Sequence, residues 1–243
     1  MHHVTLDQWS RGASALHRRD PRAKIATLII FLVVLGTAHH QLAWLGSILF
    51  LMLLAGLRAA DLPVRAALAR AGVVLPFTAM FAIVSWLAGD PARGAALVMK
   101  AYLSALAVLL LVSTTPLPLL LRGMEMTGVP RFLLMVAQFL YRYLFVISEE
   151  AQHMTKAASA RGATVRGLAG NRARFRAAAG ALAVLFARSY GRAEEIHRAM
   201  LSRGFPGYFR PLSALRFTAA DVTFLMSCGV TLVFIRIIIE RVA

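Results

Sequence analysis

Apolar residues dominate four stretches of the chain: Ile25 to Leu57, Val73 to Ala88, Ala95 to Ser113 and Val222 to Ile239. A helix needs about 20 residues to cross a bilayer. The first stretch is too long for one crossing and short for two. Gly36-Thr37-Ala38-His39-His40-Gln41 interrupts it, which predicts a tight hairpin of two short or partly buried helices. It has no convincing signal-peptide cleavage site and runs on into a second span, so it is expected to be retained. That makes four membrane helices before residue 114 and a fifth after Val222.

The pattern changes between residues 117 and 210. From Leu133 the apolar positions run Val136, Leu140, Leu144, Ile147, Ala151, Met154 and Ala158, in steps of three or four. Leu182, Phe186, Ser189, Ala193, Ile196 and Met200 repeat the spacing. Each series marks one face of a long amphipathic helix, and the apolar positions themselves predict helix–helix core. Asp20-Pro21 predicts a helix start, an N-cap followed by proline at the first helical position. Arg22 and Lys24 behind it are expected to snorkel to headgroups. Thr114-Thr115-Pro116 with Pro118 should stop the fourth membrane helix and turn the chain along the interface. Phe205-Pro206-Gly207-Tyr208 and Pro211 should do the same before the last one.

Composition agrees with this division. Apolar residues make up 59% of the 243, against roughly 45–50% in soluble domains. The net charge is +16, which alone suggests nucleic acid. The cations, however, lie between the apolar runs, as in integral membrane proteins. Residues 1–24 hold five Lys or Arg, the first hairpin loop none, residues 58–72 three, and the loop from Gly89 to Gly94 only Arg93 beside Asp90. This alternation puts the N-terminus inside. Residues 142–210 carry twelve Lys or Arg against four acids and belong inside too. A crossing at Phe132 to Ile147 would carry them out; a six-span reading of that kind stays open. The fold class is therefore all-α: a polytopic membrane protein with about five transmembrane helices and long cytoplasmic coupling helices. Residues 1–116 form membrane helices 1–4, residues 117–210 the cytoplasmic helices, whose apolar faces would pack on the membrane helices, and residues 211–243 the last membrane helix, with Ala243 outside.

Both cytoplasmic helices end alike. One ends Lys156-Ala157-Ala158-Ser159-Ala160-Arg161-Gly162, the other Arg198-Ala199-Met200-Leu201-Ser202-Arg203-Gly204, 42 positions later. Glycine supplies the left-handed residue that closes a helix. The arginine before it sits at the negative end of the helix dipole, and the small residue before that leaves the guanidinium room to dock. Two ordinary Arg-Gly caps are the plain alternative.

These repeated endings resemble the Ala-Arg-Gly signature of the T component of energy-coupling factor transporters. His17-Arg18-Arg19-Asp20-Pro21-Arg22-Ala23-Lys24 is similar to that family's N-terminal segment, and Thr114-Thr115-Pro116 with Leu120 to Pro130 to its break and short linking helix. Ser202 departs from the pattern, where the family has alanine. The resemblance covers most of the chain. It implies a membrane coupling subunit whose residues Ala160, Arg161, Gly162, Ser202, Arg203 and Gly204 engage two cytoplasmic ATP-binding subunits. It also implies a membrane substrate-binding subunit beside it, in a bacterial inner membrane. Cobalt or nickel is the preferred cargo, with a vitamin as the alternative.

No catalytic chemistry competes with this reading. None of the three lysines follows a glycine, so a Walker A loop is ruled out. No HExxH pair or Ser-His-Asp set is evident, and the single Cys228 excludes an internal disulfide and a cysteine-based zinc site. The chain is expected to be no enzyme and to hold no cofactor and no metal; His2, His3, His39 and His40 are better read as solvated. Lys100 and Arg236 are intramembrane charges, functional by default unless they snorkel from the span ends. A stand-alone secondary transporter would need mid-membrane polar groups and span repeats. A basic surface for nucleic acid or anionic lipid would act through total charge.

Overall fold

The computed structural model describes residues 9–10, 12–38, 42–161, 172–209 and 217–242. Every regular element among them is helical: α1 (Pro21–Gly36), α2 (Leu42–Ala59), α3 (Val64–Ala71), a 3-10 turn (Gly72–Val74), α4 (Leu75–Leu87), α5 (Pro91–Thr114), α6 (Leu117–Glu125), α7 (Arg131–Ala160), α8 (Arg172–Ser202) and α9 (Ala219–Val242). They fall into two compact units, Met1–Gly128 with Ser213–Ala243, and Val129–Leu212.

The first unit is built around α1, which packs against α5, α6 and α9. Leu45, Leu49, Leu53 and Leu57, four apart on α2, are buried with Leu35 of α1, Leu103 and Leu106 of α5 and Leu232 of α9. Among lipids this contact is held by close packing more than by expulsion of water. The 3-10 turn falls where Pro76, the second residue of α4, offers no N–H to the preceding turn. The two helices form one apolar stretch, Val64–Leu87.

α1 has 16 residues, about 24 Å at 1.5 Å per residue, against a hydrocarbon core of about 30 Å. Its terminal N–H and C=O groups therefore need protein partners. At the start, Asp20 accepts from the Arg22 N–H at 2.8 Å, the predicted N-cap. The Asp20 N–H donates to Asp221 Oδ1 at 3.0 Å, and Asp221 Oδ2 accepts from the Thr218 N–H and hydroxyl at 3.0 and 2.6 Å. Lys24 Nζ donates to the Thr114 carbonyl at 2.8 Å and the Thr115 hydroxyl at 2.9 Å. Asp20, Lys24, Thr114, Thr115 and Asp221 are all buried. Lys24 thus does not snorkel as expected: desolvating an ammonium is costly, and these oxygens offset it within the protein. Arg22 also turns inward, its Nε 3.8 Å from Asp20 and its guanidinium on the Met126 sulfur.

At the other end, Lys100 Nζ donates to the Gly36 and Ala38 carbonyls at 3.1 and 2.7 Å. Arg236 donates to the Val34 and Thr37 carbonyls at 3.4 and 3.2 Å and to the Thr37 hydroxyl. The two intramembrane cations cap α1, where a positive charge favours the helix dipole. Neither the functional nor the snorkelling alternative anticipated this.

These contacts also fix helix directions within the unit. The start of α1, the end of α5 and the start of α9 share one end of the unit, so α9 runs parallel to α1 and antiparallel to α5. Thr114 and Asp221 therefore lie at the same end of the unit. The stretches long and apolar enough to cross are Val64–Leu87, Pro91–Thr114, Arg131–Ala160 and Ala219–Ile239, with Trp44–Ala59 shorter. α7 qualifies by length and composition, and α8 does not.

With Cys228 replaced by serine, cysteines at Ala15 and Thr127 should react with an impermeant thiol reagent from one side of the membrane, and those at Ala92 and Ala243 from the other. Reaction of Ala243→Cys on the Ala15 side would add a span. Lys100→Met strands two carbonyls and should cost about 1–3 kcal/mol, read as a lower Tm of the detergent-solubilised chain; an unchanged Tm would mean the capping bonds contribute nothing.

Candidate functional site

The repeated Arg-Gly endings lie in the second unit. α7 and α8 are the expected long helices, of 30 and 31 residues. Arg188 of α8 forms an ion pair with Glu150 of α7. Beyond Gly204 the chain folds back onto the first part of α7: the Phe209 ring lies tilted against Phe139 at 5.2 Å and against Phe205 at 5.3 Å, and Arg131 lies over the Tyr208 ring. Contacts at both places make the two helices antiparallel.

Each ending is a helix terminus with an exposed arginine. The Arg161 N–H bonds the Ala157 and Ala158 carbonyls, both at 3.2 Å; Ala160 is the last residue of α7, and Gly162 lies outside the described residues. Ser202 closes α8, its hydroxyl on the Ala199 carbonyl at 3.0 Å. The Gly204 N–H then bonds Leu201 O at 3.0 Å and the Phe205 N–H bonds Met200 O at 3.1 Å, with Gly204 at φ 71°. This pair of bonds is a Schellman cap. It demands a left-handed residue after Arg203, a position that costs about 1–2 kcal/mol for a residue with a Cβ. Ala160, Arg161, Ser202, Arg203 and Gly204 are all exposed. Among the described residues neither Arg161 nor Arg203 has an ion-pair partner, whereas Arg198 pairs with Glu194 at 3.5 Å. With serine at 202 the terminus is still helical, and the hydroxyl is taken up by its own helix.

The two arginines are not brought together. Arg161 lies 11 residues beyond Glu150 in one direction and Arg203 15 residues beyond Arg188 in the other. Along antiparallel helices that is at most about 40 Å. They are two separate points and not halves of one site.

Between the helices is an open groove of about 1000 Å³. Val136, Leu140, Leu144 and Ile147 of α7 line it with Ile196 and Met200 of α8. These are the predicted stripes, but Leu140 is 66% exposed and Phe186 73%. The stripes therefore do not close into the expected helix–helix core. The helices touch at few points, and the apolar faces stay open along the rest of their length. Among the described residues no three His, Cys, Asp or Glu side chains gather as a metal would require.

The family described as CbiQ, cobalt transport protein, matches residues 12–213. The chain belongs to this family. It is 30% identical over 231 residues to the energy-coupling factor transporter transmembrane protein EcfT of Acidaminococcus fermentans, an alignment covering 84% of each chain. It is also 37% identical over 123 residues to the cobalt transport protein CbiQ of Rhodobacter capsulatus, covering 51% of this chain and 49% of that one. The chain is thus a multi-pass T component of the energy-coupling factor type.

Sequence reasoning found the helix ends but missed the buried network at Lys24. Its signal was Asp221, an acid one residue before an apolar run, with Thr218 three positions earlier.

Proposed function

We propose that the chain is the membrane-embedded coupling subunit of an ATP-driven importer of cobalt or nickel ions. Residues 117–210 face the cytoplasm with the N-terminus, as the distribution of Lys and Arg favours. Arg161 and Arg203 each dock on one of two ATP-binding subunits, and a membrane substrate-binding subunit sits beside the chain. The chain itself has no catalytic site. The observation that carries this reading is the pair of matching exposed Arg-Gly helix ends, set apart at opposite ends of one helix hairpin. Two separate surfaces suit two ATP-binding subunits, and closure of the ATPase pair on ATP would move both ends. The opposed helices would then change their crossing angle and tip the substrate-binding subunit. The family description and the relative from Rhodobacter capsulatus support cobalt as cargo. The second reading is a vitamin cargo with a shared ATPase module; the name of the relative from Acidaminococcus fermentans carries no cargo.

A docked guanidinium makes several charge-assisted hydrogen bonds, each worth about 1.5–3 kcal/mol. Arg161→Ala or Arg203→Ala should weaken pull-down of the ATP-binding subunits by one to several orders of magnitude, and the double variant should abolish uptake of radiolabelled cobalt ion. Lysine at either position should rescue only in part, lacking the planar fork. The triple variant Arg172→Ala, Arg174→Ala, Arg176→Ala removes more charge from the same block and should retain uptake. Uptake lost in the triple variant and kept in the double one would replace docking with a diffuse electrostatic surface. Uptake of a labelled vitamin and not of cobalt would favour the second reading.

A further inference from the structure

The chain passes from the first unit to the second after Gly128 and returns at Ser213. Both connections begin or end on the first turn of α1. The outgoing one starts at Thr114-Thr115, whose carbonyl and hydroxyl hold the buried Lys24 ammonium. It continues as α6, which packs against α1. Gly123 of α6 lies so close that a Cβ there would stand 3.1 Å from Pro21 Cβ and 3.3 Å from Ile25 Cδ1. The Arg22 guanidinium then holds the Met126 sulfur. The returning connection ends at Thr218, which is tied to Asp221, and Asp221 accepts from the Asp20 N–H. One helical turn thus holds both links.

We infer that Lys24 is a positioning residue for energy coupling: with Asp20 and Asp221 it fastens both inter-unit connections to α1, so that displacement of the helix hairpin is delivered to the membrane helices. This rests on the coupling role proposed above. The physical reason is register. Leucine faces can slide by a fraction of a turn at small cost, because one apolar contact replaces another. A buried ammonium with designated oxygens has one satisfied arrangement, and any slip leaves a charge without partners. A force on either link therefore moves α1 instead of being lost in repacking. An N-cap alone needs only Asp20; it accounts neither for Lys24 reaching the end of α5 nor for Asp221 bridging Asp20 and Thr218.

The test is the ratio of cobalt ion taken up to ATP hydrolysed. It is measured in vesicles reconstituted with the full complex of this chain, its ATP-binding subunits and its substrate-binding subunit. The ratio normalises for the amount of assembled protein, which a merely structural defect would lower without changing it. Lys24→Met should lower it at least tenfold while ATP hydrolysis continues. Thr115→Val, which removes one acceptor and no charge, should lower it about threefold. Lys100→Met, which removes an amine bound to carbonyls at the opposite end of α1, should leave it within twofold. A Lys24→Met ratio within twofold of the unaltered chain, or an equal fall in Lys100→Met, overturns the inference. If Lys24→Met yields no complex, Thr115→Val decides, and an unchanged ratio there overturns it. An unaltered chain that binds no ATP-binding subunit would instead sink the coupling role, and this inference with it.

Discussion

A buried ammonium must find oxygens, and the first unit is arranged around where Lys24 finds them. α1 is too short to bring its termini to water on both sides of a bilayer, so each terminus is completed by other helices. Asp20, Asp221 and Lys24 close one end, and Lys100 and Arg236 close the other. These bonds fix the directions of α5 and α9 relative to α1. Removing one member of a buried charged network typically costs about 3–5 kcal/mol, more than the loss of a methyl from the leucine core. The leucines supply bulk; the charges supply the arrangement.

The second unit follows a different rule. Its two long helices carry well-formed apolar stripes but meet at few points, leaving a groove of about 1000 Å³. A hairpin so weakly closed can change its crossing angle without breaking a core. Its ends are the reverse, closed by backbone bonds that hold Arg161 and Arg203 at defined termini.

Much of this was legible in the chain. The interruption after Gly36 did separate two short helices, the stripes from Leu133 and Leu182 did mark two long ones, and Asp20-Pro21 did begin α1. Arg203-Gly204 did form a left-handed helix cap. The membership of the chain in the CbiQ family agrees with what the repeated endings resembled. Long-range partnership was not legible. Lys24, Lys100 and Arg236 each lie near a span end, where snorkelling is the ordinary outcome; only the fold shows that the oxygens they need are within reach. Asp221 meets Asp20 from 201 positions away, and no local pattern announces that. Helical periodicity names the face of a helix that is apolar but not whether the facing helix covers it. That is why the stripes alone predict a closed core.

The central claim is that each Arg-Gly end engages a different ATP-binding subunit. Site-directed crosslinking tests it most directly. With Cys228 replaced by serine, Ala160→Cys and Ser202→Cys are introduced singly and together in the assembled complex and treated with a short thiol-specific crosslinker. Each single variant should capture one ATP-binding subunit, and the double variant two on the same chain. Capture of at most one by the double variant, or of none at either position, would contradict the account.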